Sequence, residues 1–392
     1  MMDSLYIAWQ YVTWNRGKTL VLIISITLIA FLPLTLQVLL NESEQQLRLR
    51  AVETPLLLGA RGSALDLVMN SLYFDDEVPQ TISMQAVRQV EATGLGFPVP
   101  LYVRFQARGF PIVGTTLDYF DFRELQVAEG RMLAVLGESV IGADVAERLG
   151  VVAGDDLISS PENLFDIAGI YPLKMKITGV LARSHSPDDL AVFVDVKTAW
   201  IVQGLGHGHQ DLAKTGDAAV ILKQDERSVT ANARLMQYTE ITAENIDSFH
   251  FHGDDTSYPL TAVLVLPDDT KAAAMLRGRF LDDDNYQIIK PDDVIDGLLE
   301  NIFRIKKVID AVIVIVAIAT LLTIVLVFIL SLRIRRDEMD TIFRIGCSRM
   351  TTARLLAAEI LIILVTSAIL CAGLLWLVQT NSSELVRGLI LR

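Results

Sequence analysis

Between Val308 and Leu332 the chain carries one charge, Asp310, in 25 residues. A run that long and that apolar is predicted to cross a bilayer as a helix, since hydrocarbon offers backbone groups no other partner. Upstream, Asp292 and Asp293 follow Pro291 and suit the positive end of a helix. Ile295, Leu298, Leu299, Ile302 and Ile309 then recur at helical spacing. One helix from Asp292 to Arg335 would measure about 66 Å at ~1.5 Å per residue. Downstream comes the charged run Arg333-Ile334-Arg335-Arg336-Asp337-Glu338, then Met339, Ile342 and Phe343 on one helical face, then a stop at Gly346. Ser348 is placed to cap the next helix, which contains a further apolar run, Leu355–Val378. A long rod joined to a short amphipathic knob is suited to carrying motion across a membrane.

The amino-terminal end repeats this pattern. Thr19–Leu40 holds no charge, and Pro33 is a potential kink. The run is too long for a cleaved signal, and no small-residue cleavage site follows it, so it is read as an anchor. Residues 1–18 form a cytosolic segment in which Tyr6, Trp9, Tyr11 and Trp14 suit the membrane interface beside Arg16 and Lys18. Past Leu40 the helical stripe continues through Leu47 and Ala51, with Glu42, Glu44, Arg48 and Arg50 expected to face water. Three spans result, at 19–40, 308–332 and 355–378, with stalks at 41–53 and 291–307. The loop 333–354 carries six arginines against three acidic residues and is placed in the cytosol. Arg304, Lys306 and Lys307 oppose that orientation and are accommodated at outer headgroups. The large insert and the tail 379–392 are then extracytoplasmic.

The insert, 54–290, reads as α+β. Predicted strands are Pro98–Phe105, Phe110–Thr115, Lys174–Leu181, Leu190–Val196, Ala218–Leu222 and Leu260–Leu266. Predicted helices are Ala143–Leu149, Val196–Val202, Val229–Tyr238 and Asp269–Phe280. Their irregular alternation excludes a doubly wound parallel sheet. Residues 41–307 hold 24 basic and 40 acidic residues, which argues against nucleic acid as a partner. The only cysteines, Cys347 and Cys371, lie outside the insert, so no disulfide framework holds it.

All five histidines fall in the insert. Two pairs have His-x-His spacing, His207/His209 and His250/His252; if Phe251 lies on a strand, the second pair shares a face and suits a transition metal such as zinc. Asp211, Asp254 and Asp255 would supply oxygen ligands. The plainer reading makes Gly206–His209 a solvated loop and the other pair a polar strand face. Asp310 and Glu359 lie within spans, where charges usually face a protein interior. No Gly-x-Ser-x-Gly elbow and no phosphate-binding loop occurs, so no enzyme and no resident cofactor is expected on this chain.

The segment Arg335-Arg336-Asp337-Glu338-Met339-Asp340-Thr341-Ile342-Phe343-Arg344-Ile345-Gly346-Cys347-Ser348-Arg349 resembles the cytosolic stretch that ends in Gly-Ala-Ser-Arg in FtsX-like permeases of the MacB type of ABC transporter. Gly137–Ala143 through Gly154-Asp155, Lys176–Leu181 before Ser186–Asp195, and Thr54–Ser63 are similar to parts of the MacB-type periplasmic domain. The fold implied is α-helical in the membrane with a MacB-like α+β domain on helical stalks. The resemblance implies a homodimeric permease in a bacterial inner membrane, with its large domain in the periplasm. It also implies a separate ABC ATPase that binds ATP and Mg²⁺, and a periplasmic binding protein or envelope partner. Met339, Ile342, Phe343, Arg344 and Gly346 would then form the ATPase-coupling face; the plainer reading lays this helix on anionic membrane lipid. Such permeases usually have four spans, and three are counted here. Two other classes stay open: an FtsX-like scaffold activating an envelope partner, and a membrane-anchored metal or ligand sensor.

Overall fold

The computed structural model describes residues 2–160, 172–208, 221–225, 228–231, 239–334, 341, 344 and 348–381. The chain divides into two units, Met1–Gln46 with Leu299–Arg392, and Leu47–Leu298.

The first unit is helical. Met2–Trp14 forms a helix, and a second runs from Arg16 to Val52 without a break at Pro33. Pro291–Ile334 is helical over 44 residues, and Arg349–Thr380 follows, its Ser348 side chain accepting the Thr351 N–H as predicted. The amino-terminal helix packs on Arg349–Thr380. Small polar residues let a second pair of helices approach: the Thr27 hydroxyl donates to the Ser367 carbonyl, and the Ser367 hydroxyl lies 3.4 Å from the Ile23 carbonyl. Among the described residues two helices are long and apolar enough to cross a membrane, Arg16–Val52 and Ala353–Thr380. The predicted span 308–332 lies within Pro291–Ile334, whose described apolar segment is Asp310–Ala319. Leu20, Leu28 and Leu32 on one helix, Ile315, Leu322 and Leu326 on another, and Ile369 and Trp376 on a third are all exposed. So much bare apolar surface calls for lipid or protein around it. Of the two in-span charges, Glu359 is buried and Asp310 exposed.

The second unit is α+β. Its ten-stranded mixed sheet runs, edge to edge, Tyr286–Ile289, Leu56–Ala60, Ala262–Pro267, Gly96–Ala107, Phe110–Thr115, Val192–Asp195, Glu138–Ile141, Lys174–Leu181 and Val127–Gly130. Asp156–Ile158 pairs beside Lys174–Leu181. Two pairings are parallel, Phe110–Thr115 with Val192–Asp195 and Glu138–Ile141 with Lys174–Leu181. The central hairpin turns at Arg108-Gly109, both with positive φ, as a two-residue turn between twisted strands requires. Leu56, Leu57 and Leu58 are buried in the sheet interior. Ala143–Leu149 and Val196–Val202 form the helices predicted, the latter capped by the Asp195 carboxylate on the Lys197 N–H.

Two predicted elements are corrected. Val229–Tyr238 is not a helix at its start, because Ser228–Ala231 is a strand paired with Ile221–Asp225; residues 232–238 lie outside those described. β-branched Val229 and Thr230 suit that ribbon. Gly206–Gly208 is a strand too, and not a loop.

Candidate functional sites: an imidazole cluster and a buried arginine

The Gly206–Gly208 strand pairs antiparallel with Phe249–Phe251, placing Gly206 opposite Phe251, His207 opposite His250 and Gly208 opposite Phe249. The glycines explain the pairing. A Cβ on Gly206 would sit 2.6 Å from the Phe251 ring, and one on Gly208 2.8 Å from the Phe249 ring. The phenyl groups fill the space left by the missing side chains and pack against the core. Alternation along the strands then sends His207 and His250 to the opposite face. His252 joins them, its Nε2 lying 3.3 Å from the Nε2 of His207. The three rings have centroids 4.7–5.0 Å apart. His250 Nδ1 lies 3.0 Å from the Ser248 carbonyl. His207 is half-buried, while His250 and His252 are exposed. The structure thus unites one member of the first His-x-His pair with both of the second; His209 and Asp211 lie outside the described residues. The predicted carboxylate ligands are engaged elsewhere. Asp254 accepts the Thr256 N–H at 3.0 Å, and Asp255 lies 3.9 Å from Arg88.

Of the predicted ATPase-coupling residues, Met339, Ile342, Phe343 and Gly346 lie outside the described residues, and Arg344 is helical and exposed.

A second constellation is centred on Arg50. Read from sequence as facing water, Arg50 is 6% exposed. Its guanidinium grips Asp188 through both nitrogens, Nη1 to Oδ2 at 2.6 Å and Nη2 to Oδ1 at 2.8 Å. Nη2 also donates to the Tyr119 hydroxyl at 2.8 Å, and Nε to the Leu72 carbonyl at 3.3 Å. The Tyr119 hydroxyl donates to Asp188 at 2.7 Å, as does the Ser186 hydroxyl at 2.8 Å. Arg123 lies over the Phe122 ring at 4.6 Å and donates to the Thr54 hydroxyl oxygen at 2.7 Å. Arg50, Phe122, Arg123, Ser186 and Asp188 line a cleft of about 440 Å³ that also includes Glu53 and Ser184. The last turn of the Arg16–Val52 helix is thereby bound to three segments of the sheet unit, near residues 72, 119 and 188. The signal that sequence reasoning missed is the partner, 138 residues away in the chain.

Burial works to push the Asp188 carboxyl up, but the charge of Arg50 and the hydrogen bonds from Arg50 and Tyr119 outweigh it and hold the group below the ordinary range. Burial also raises the Tyr119 phenol, which stays protonated as a donor. Asp195 is shifted the other way, raised chiefly by burial. The signs follow from linkage. Asp188 contributes fully above the unfolded aspartate value of about 3.9 and loses its contribution as pH falls through its lower folded value. Asp195 costs stability while ionised, and that cost is relieved as pH falls through its raised folded value. Glu138 and Asp156 are held low as Asp188 is, so denaturant unfolding followed by tryptophan emission should be nearly flat from pH 7 to about 5 and weaken below about 4. Stability that rises on going from pH 5 to 3 would contradict this.

Residues 19–238 match the family described as MacB-like periplasmic core domain. The chain is similar to the crystallised periplasmic region of MacB from Actinobacillus actinomycetemcomitans, at 12% identity over 64% of this chain and 96% of that one, with a TM-score of 0.35. It is also similar to the extracellular domain of the noncanonic ABC-type transporter YknZ from Gram-positive bacteria, at 14% identity over 60% of this chain and 98% of that one, with a TM-score of 0.32. No curated protein matches.

Proposed function

Because the chain belongs to the family with a MacB-like periplasmic core domain, we propose that it is the transmembrane permease subunit of a MacB/FtsX-type ABC transporter. In this reading it hydrolyses nothing itself. A separate ABC ATPase in the cytosol binds ATP and Mg²⁺ and docks on the Met339–Gly346 knob. Two copies of the chain form a dimer in a bacterial inner membrane, each contributing spans 19–40, 308–332 and 355–378. The periplasmic domain moves when the ATPase closes, for export or envelope trafficking with a binding protein or envelope partner.

The observation that carries the reading is the 44-residue helix Pro291–Ile334, unbroken over a length of about 66 Å. A bilayer core needs only ~30 Å of that length, so one rigid element is long enough to link the periplasmic face to the cytosolic face. The Arg50 network ties the last turn of the Arg16–Val52 helix to the sheet unit. The exposed apolar surfaces of the helical unit support lipid or a second copy as their surroundings.

Capture of the tagged full-length chain from native membranes should retain an ABC ATPase polypeptide. Topology is read in the same material: Cys347 should react with a membrane-impermeant maleimide only once the cytosolic face is opened, and an introduced Asp268→Cys should react from outside. Labelling of Cys347 in intact spheroplasts would invert the topology and end the proposal. One observation favours a second reading, a membrane-anchored metal sensor: the three-imidazole cluster. Capture without any ATPase would select it, and capture of a wall hydrolase would select an FtsX-like scaffold.

A further inference from the structure

We propose that His207, His250 and His252 form an accessible binding site for a divalent first-row metal ion of the zinc class, with its fourth position open to an outside ligand. The site goes beyond the transporter reading and does not depend on it.

Its geometry is suited to that chemistry. Zinc–imidazole bonds of about 2.0–2.1 Å in a tetrahedron set neighbouring nitrogens about 3.3–3.4 Å apart. The Nε2 atoms of His207 and His252 already stand 3.3 Å apart. One ligand nitrogen from each of the three rings lies within 4.8 Å of the others, so small shifts of the side chains bring all three onto one face of the tetrahedron. The His250 Nδ1 lies 3.0 Å from the Ser248 carbonyl, and a ring donating there would ligate through Nε2, the second-shell arrangement usual in such sites. Imidazole without thiolate suits zinc, copper and nickel, and disfavours calcium and magnesium.

The backbone beneath is built for one register. Gly206 and Gly208 accept the Phe251 and Phe249 rings, and a slip of one residue would bring both phenyl groups to the imidazole face. Phe251 in turn lies edge-on to Trp200 at 6.4 Å, and Trp200 stacks on Tyr258 at 4.8 Å. The cluster therefore rests on a packed aromatic layer. Exposure of His250 and His252 leaves the fourth position to solvent, as in sites where three protein ligands hold an ion that must meet a further ligand. The competing arrangement is a plain N–H···N hydrogen bond between His207 and His252, with no ion.

The detergent-solubilised full-length chain is titrated with ZnCl₂ by calorimetry, beside the variant His207→Asn/His250→Asn/His252→Asn. The wild type should take one zinc per chain at micromolar or lower concentration, and each single substitution should weaken binding at least about tenfold. Cobalt(II) should give the visible absorption of a four-coordinate ion in the wild type and lose it in the triple variant. Unchanged Trp200 emission in that variant shows that the aromatic layer is intact. A wild type that takes no zinc, or a triple variant that takes it with equal stoichiometry and affinity, overturns the assignment. Neither result bears on ATPase capture.

Discussion

Replacing Arg50 with methionine is expected to destabilise the sheet unit by about 3–5 kcal/mol, the usual cost of leaving a buried charge without its partner. Asp188 is 1% exposed, and its carboxylate loses both guanidinium bonds at once. Tyr119 and Ser186 remain as donors, but neither carries charge. For a unit of this size, roughly 2–4 °C of melting temperature is lost per kcal/mol, so the transition followed at Trp200 should fall by about 6–20 °C. A paired change isolates the cause. Arg50→Met with Asp188→Leu removes both charges and should recover much of the loss, because a buried ion pair is often no better than apolar residues of like volume. If Arg50→Met alone melts within 2 °C or so of the wild type, the network carries little of the fold's stability. Attachment of the Arg16–Val52 helix would then rest on the burial of Leu47 and Ala51, the Tyr73 hydroxyl bond to the Leu47 carbonyl and the Arg48–Asp296 pair.

What the sequence made legible, and what it hid, follows from how local each signal is. Phe110–Thr115, Lys174–Leu181, Ala143–Leu149 and Val196–Val202 are found where predicted, because apolar period and cap chemistry lie within each segment. The long helices are equally local, since thirty or more residues of composition fix them. Leu56–Ala60 was not predicted as a strand. A short apolar run has no period to read, and only its pairing with Ala262–Pro267 and Tyr286–Ile289, far along the chain, makes it an interior strand next to the sheet edge.

The two sites divide in the same way. His250 and His252 could be assigned to one face from alternation alone, but the glycine-rich strand beside them resembles a loop until the phenyl rings opposite are known. Arg50 carries no local sign of burial at all. It continues a row of charged residues on a helix, and only Asp188 and Tyr119 distinguish it from Arg48, which is exposed.

The second large effect concerns force transmission. Met339, Ile342 and Phe343 recur in the sequence at helical spacing between charged residues, and in the proposed reading they meet the ATPase. In that reading Phe343→Asp puts a carboxylate where an apolar side chain is expected to dock. An unpaired charge in an interface costs about 3 kcal/mol, or more than a hundredfold in affinity. Membrane insertion should be untouched, because the substitution lies outside the spans and leaves the six arginines of the loop in place.

The most direct measurement is ATP turnover by the partner ATPase, reconstituted in lipid with wild-type chain and with Phe343→Asp. Wild type should bind the ATPase and stimulate it, while Phe343→Asp should insert normally, fail to retain the ATPase and leave turnover at the level of the ATPase alone. Retention and stimulation equal to wild type in the Phe343→Asp variant would contradict docking through this knob.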